Sequence, residues 1–146
     1  MPRIKLIEKP NYKFHMTITL QPRDINYAKH LGNDALVSLI GTARVNALHS
    51  MGLSEADLGD GHTGVIMSDL IVNFKAEAYM LDELTVDTQM DDFTRTSFRM
   101  HHRVMRGPTL IALAELGFAA FDYNSKKIAP VPPRFLELLG KYGSLD

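Results

Sequence analysis

The chain has 146 residues, a size that suits one domain with its own core and leaves little room for a second. Sixteen Lys and Arg stand against seventeen Asp and Glu, a net charge of -1, which excludes a general electrostatic pull toward nucleic acid or anionic lipid. The 45% hydrophobic content excludes a disordered chain, and the absence of cysteine excludes disulfides, thiolate nucleophiles and sulfur-ligated metal sites.

The opening MPRIKLIEKPNYKF has no apolar h-region, so no secretion signal is expected. The apolar run LIALA falls far short of the roughly 20 residues that a membrane span requires, and a cytoplasmic location is expected. Tyr12, Phe14, Met16, Ile18 and Leu20 then alternate with polar residues, which predicts a first, half-buried strand. After the polar stretch QPRDINYAKHLGN, the residues Leu36, Leu39, Ile40, Ala43, Ala47, Leu48 and Met51 recur at helical spacing. One long helix is predicted there, capped by Asn33 or Asp34 and closed by Gly52.

Past an acidic turn the alternation returns. Ile66, Ser68, Leu70, Val72, Phe74 and Ala76 are expected on one face, opposite Asp69, Ile71, Asn73, Lys75 and Glu77. Two further alternating runs follow, around Val86 and around His102, with Arg95, Arg99, His101 and Arg103 on the outward side of the second. TLIALAELGFAAFDY is apolar on both faces except for Glu115 and is expected in the middle of the sheet. PPRFLELLG predicts a short closing helix begun by Pro133. A strand, a long helix and about four strands make an α+β architecture.

Three stretches carry a family resemblance. DINYAKHLGNDALVSLIGTAR is similar to a D-x-D-x-x-G-H-V-N-N-x-x-Y run followed by a helix ending in Ala-Arg, with His30, Asn33, Ala43 and Arg44 at the same spacing. IMSDLIVNFKAEAYMLDELTVDT resembles that family's paired strands around a short acidic turn, and RTSFRMHHRV with TLIALAELGFAAFDYNSKKIAPVP resembles its last two long strands. The family is that of the hotdog thioesterases, 4-hydroxybenzoyl-CoA thioesterase-like and acyl-CoA thioesterases. The resemblance implies a hotdog fold over residues 1–146, a long central helix wrapped by a curved antiparallel sheet of about five strands. It also implies hydrolysis of an acyl-CoA or acyl-carrier-protein thioester, with coenzyme A as part of the substrate and no separate cofactor. The chain departs from the motif at Asn26, where relatives carry a catalytic Asp, at Lys29 for Gly and at Leu36 for Tyr. An amide cannot serve as a general base.

Thioester hydrolysis needs a positioned water, a proton acceptor and donors aimed at the oxyanion. Residues Asp24 to Asp34 offer these types of group just before the helix. Its first N–H groups, near Gly32 and Asn33, would hold the thioester oxygen. Asn26 would orient carbonyl or water, or shape a turn. His30 would accept the water proton, or satisfy loop backbone. Asp34 would act as base or as a first-turn acid, and Asp24 would do either job from the loop. Asp69 is expected to be solvated and Arg44 to find a carboxylate. Arg95 and Arg99, in a row with Arg103, would meet CoA phosphates or form a charged face. His101 and His102, adjacent on a strand, cannot chelate one ion, and no metal site is expected.

Two other readings stand beside the thioesterase. One is a hotdog hydratase or dehydratase, because DINYAKH approaches the Asp-x-Asn-Pro-x-His of such relatives. The other is a non-catalytic acyl-CoA-binding module, because the usual Asp is missing. An edge strand carrying Leu70, Ile71 and Val72 would be a pairing liability, so a homodimer is expected, with a tetramer as the larger alternative.

Overall fold

The computed structural model describes residues 3–142. Strand β1 (Phe14–Thr19) leads through a 3-10 turn (Pro22–Asp24) to helix α1 (Asn33–Ser50). Strands β2 (Thr63–Phe74), β3 (Glu83–Asp91), β4 (Ser97–Arg106) and β5 (Thr109–Asp122) follow, then the two-residue β6 (Lys127–Ile128) and helix α2 (Pro133–Lys141). All strand pairs are antiparallel, in the order β1-β3-β4-β5-β2, with β6 beside β5. The architecture is α+β. Among the described residues no helix is long and apolar enough to cross a membrane.

Helix α1 forms because Leu36, Leu39, Ile40, Ala43, Ala47 and Leu48 share one stripe, and that stripe is buried against the sheet. The facing sheet residues are Val86, Met90, Phe98, Met100, Val104, Ala114, Leu116 and Phe118, all in the same core. Gly52 ends the helix with φ +75°, and Leu53 N–H reaches Leu48 O at 2.9 Å, which satisfies the last carbonyls. From α2, Phe135 closes one end of the core against Phe98, ring centroids 5.3 Å apart.

Three expectations are corrected. β2 and β3 do not pair: β2 is an edge that bonds only β5, while β3 lies between β1 and β4. The alternation of β2 changes phase at Ser68, where the register slips between Met67 and Asp69, so Val65 and Met67 share the inner side with Leu70, Val72 and Phe74. The helix cap is Gly32, with no side-chain cap from Asn33 or Asp34.

The outer sheet face is not simply solvated. Residues 4–10 run across it: Asn73 Oδ1 accepts Leu6 N–H at 2.7 Å and Asn73 Nδ2 donates to Ile4 O at 2.9 Å. Glu8 meets Arg103 at 3.0 Å and Lys9 meets Asp91 at 3.3 Å. Leu113, which faces outward between Asn73 and Arg103, is buried.

Candidate active site

The segment between β1 and α1 folds back on itself. Ile25 bridges Leu31, Asn26 N–H donates to His30 O at 3.0 Å, and Lys29 N–H donates to Asn26 O at 3.0 Å. Asn26 Oδ1 accepts Ala28 N–H at 2.9 Å, an Asx turn. Lys29 closes the loop with φ +69°, at the position where the resembling motif carries Gly. Asp24 accepts Gln21 N–H at 2.7 Å, so its carboxylate finishes the 3-10 turn. Asn26 and Asp24 thus each hold local backbone.

Leu31 N–H donates to Ala78 O at 2.7 Å and ties this loop to the segment that follows β2. Between the two lies a cavity of about 270 Å³, lined by His30, Leu31, Asn33, Leu36, Phe74, Lys75, Ala76, Glu77, Ala78 and Ile111. Its walls are mainly apolar, and its polar groups converge at the start of α1. Gly32 N–H is already donated to Asp24 O at 3.0 Å, which removes it from the expected oxyanion site. The unfilled donors are the next N–H groups, of Asn33, Asp34 and Ala35, which have no intrahelical partner and no side-chain cap.

The expected residues therefore divide. His30 and Asn33 line the cavity. Asp34 does not: its carboxylate turns back over Gly32, where a Cβ would stand 2.8 Å from Asp34 Oδ1 and 3.5 Å from Asn26 Cβ. Asp24 lines a separate open groove with Thr17, Thr19, Ser38 and Thr42.

His30 Nδ1 lies 3.2 Å from Leu31 O and its Nε2 lies 3.9 Å from Glu77 Oε1. Glu77 Oε2 accepts the Tyr79 hydroxyl at 2.9 Å, and Arg106 Nη1 donates to Glu77 O at 2.7 Å. Sequence periodicity placed Glu77 and Lys75 on the polar side of a strand and missed them as cavity residues. β2 ends at Phe74, and beyond it the chain leaves the ladder, with Lys75 N–H and Ala76 N–H both reaching Ile111 O. Alternation carries no information past that point.

The basic row divides as well. Arg95 lies in the turn before β4, and its carbonyl accepts Val131 N–H at 2.8 Å. Arg99 is bound to Asp69 and, at 2.5 Å, to Glu115. The Arg99 guanidinium holds the Asp69 carboxyl below the usual carboxylate range, so Asp69 is paired rather than merely solvated. Arg103 bonds Asp87 at 2.8 Å and Glu8 at 3.0 Å. Arg99 and Arg103 on β4 are thus each met by two carboxylates. Arg44 pairs with Glu55 and lies over the Phe118 ring, 5.2 Å from its centroid.

Solved structures resemble this fold closely at low identity. A 1,4-dihydroxy-2-naphthoyl-CoA thioesterase from Synechocystis superposes with TM-score 0.79 at 17% identity, over 90% of this chain and 98% of that one. A probable thioesterase from Escherichia coli gives 0.75 at 16%, over 90% and 99%. A Staphylococcus aureus protein solved in complex with CoA gives 0.80 at 15%, over 93% and 88%. No curated protein matches the sequence. The sequence model of the thioesterase-like superfamily matches residues 20–139, most of the chain, and spans α1, β2 to β5, the cavity and most of α2. The chain belongs to the thioesterase-like superfamily, the hotdog thioesterases.

Proposed function

We propose that the protein is an acyl-CoA or acyl-carrier-protein thioesterase that hydrolyses its substrate without a covalent intermediate, and that the cavity at the start of α1 is its active site. One observation carries the reading. A mainly apolar cavity of about 270 Å³ meets the uncapped N-terminus of a helix and a histidine at the same place. Apolar walls suit an acyl group, and the helix start suits the oxygen that becomes negative as the carbonyl is attacked.

The thioester oxygen accepts from the N–H groups of Asn33 and Asp34. Water on the cavity side of His30, held by His30 Nε2, attacks the carbonyl carbon. Leu31, Leu36, Ala76, Ala78 and Ile111 surround the acyl group, and Lys75 stands on the cavity wall for the polar arm of the thiol carrier. A homodimer fits this reading. Ile66, Met67, Leu70 and Phe74 are exposed along the edge strand β2, and Phe74 is both an edge residue and a cavity wall. Pairing at that edge would cover the mouth of the site.

Release of free thiol from short, long and aromatic CoA esters, and from an acyl-carrier thioester, tests the proposal. Enzyme-dependent thiol release from at least one ester is expected. No release above the uncatalysed rate across the whole panel would overturn the reading.

A further inference from the structure

We propose that Glu77 supplies the carboxylate that position 26 lacks: together with His30 it holds the attacking water, and it takes that water's proton. This rests on the thioesterase reading of the cavity and adds a catalytic residue to it.

The bond from Leu31 N–H to Ala78 O pins the loop before α1 to the chain after β2, so Glu77 is carried to the wall facing His30 and Asn33. Asn26, at the family's acidic position, has its oxygen committed to Ala28 N–H, and an amide takes up no proton. Among the residues lining the cavity, Glu77 is the carboxylate.

Leu31 O can only accept, so the contact from His30 Nδ1 at 3.2 Å puts a proton on Nδ1, and in the neutral ring Nε2 then carries the lone pair. Nε2 then faces Glu77 Oε1 at 3.9 Å, too far for a direct hydrogen bond. Two acceptors turned toward each other call for a molecule with two hydrogens to give, and water is the smallest. Its remaining lone pairs are then free to point into the cavity, toward a carbonyl held at the start of α1.

A brace stands behind the carboxylate. Tyr79 hydroxyl donates to Oε2 at 2.9 Å, which leaves Oε1 for the water. Arg106 holds Glu77 O at 2.7 Å, reaches Asp82 at 3.2 Å and lies over the Tyr79 ring, 5.9 Å from its centroid. The bond to Glu77 raises the pKa of the Tyr79 hydroxyl, which keeps it a donor.

The reaction then balances. The water oxygen bonds to the carbonyl carbon while one water proton passes to Glu77, and the electron pair of the C=O bond moves to the oxygen held by the helix N–H groups. As that oxygen re-forms the carbonyl, the C–S bond breaks. The sulfur leaves with the bonding pair and takes the proton from Glu77, giving free thiol and carboxylic acid.

The test compares the wild type with Glu77→Gln, Glu77→Asp and Tyr79→Phe on one ester that the wild type cleaves. Glu77→Gln is expected to lower kcat by about 10²–10⁴ while KM stays within a few-fold and the melting temperature is unchanged. Glu77→Asp should recover part of the rate, and Tyr79→Phe should lose less than Glu77→Gln. A Glu77→Gln enzyme retaining kcat within about threefold of a turning-over wild type would overturn the role of Glu77 and leave the cavity reading standing. A wild type that releases no thiol would overturn both.

Discussion

His102 Nδ1 lies 2.9 Å from Thr88 Oγ1 inside the core, while His102 Nε2 is buried with no partner among the described residues. The two residues face each other across β4 and β3 on the side covered by α1. Burial lowers the His102 pKa from 6.5 to about 3, with Arg44 and His101 adding to the effect. The unfolded chain therefore binds a proton below about 6.5 that the folded chain refuses until about 3. Stability is full above pH 6.5 and falls on acidification across that window, by at most about 1.4 kcal/mol per pH unit from this group. Urea melts at pH 7, 5 and 4 should show His102→Leu losing less stability on acidification than the wild type. Equal losses would remove His102 from the acid response.

Lys29 adopts φ +69° in an exposed loop. A left-handed conformation costs an L-residue roughly 1–2 kcal/mol, and glycine escapes that cost while gaining freedom in the unfolded chain. Lys29→Gly is expected to raise stability by about 0.5–1 kcal/mol in denaturant melts, and Lys29→Val to lower it, because a branched Cβ worsens the strain. Lower stability in Lys29→Gly would show that the lysine side chain matters more than its backbone.

The core of this fold is legible in the sequence because its patterns are local. Leu36, Leu39, Ile40, Ala43 and Ala47 define α1 by spacing alone, and the two-sided apolar run around Ala114 places β5 inside the sheet. What escapes such reading depends on long-range partners or on backbone irregularity. The slip at Ser68 reverses the faces of half of β2, and nothing in the alternation announces it. Gly117 makes room for it: a Cβ there would collide with Asp69, Arg99 and Ser68. At the site, the polar loop before α1 stands out by composition, yet which of its groups reach the cavity is decided by Leu31 binding Ala78, two residues remote in sequence. Glu77 is hidden for the same reason.

Asn73 is buried and bonds the segment over the outer face twice, accepting Leu6 N–H and donating to Ile4 O. It acts as a strand would, offering an acceptor and a donor to neighbouring backbone. Replacing Asn73 with Ala leaves those groups to solvent or to nothing, a loss of about 1–3 kcal/mol. Hydrogen exchange should quicken at Leu6 and its neighbours in Asn73→Ala while α1 keeps its protection. Unchanged exchange over residues 4–10 would mean that the ion pairs of Glu8 and Lys9 hold the segment by themselves.

Asp34 and His30 flank the same helix start but face different surroundings, and paired variants separate their roles. Asp34 sits in the first turn of α1, where a carboxylate steadies the helix dipole by roughly 0.3–1 kcal/mol, and it does not line the cavity. Asp34→Asn should thus cost a small amount of stability and reduce kcat by no more than about tenfold. His30 lines the cavity and bonds only the adjacent carbonyl, so His30→Gln should melt like the wild type yet lose about 10²–10⁴ in kcat. Thiol release and thermal melts on the two proteins give a crossed pattern if the geometry governs the chemistry: a stability change in one, a rate change in the other. The reverse pattern, with Asp34→Asn inactive and His30→Gln near full rate, would take the water away from His30 and Glu77 and place it beside the carboxylate lying over Gly32.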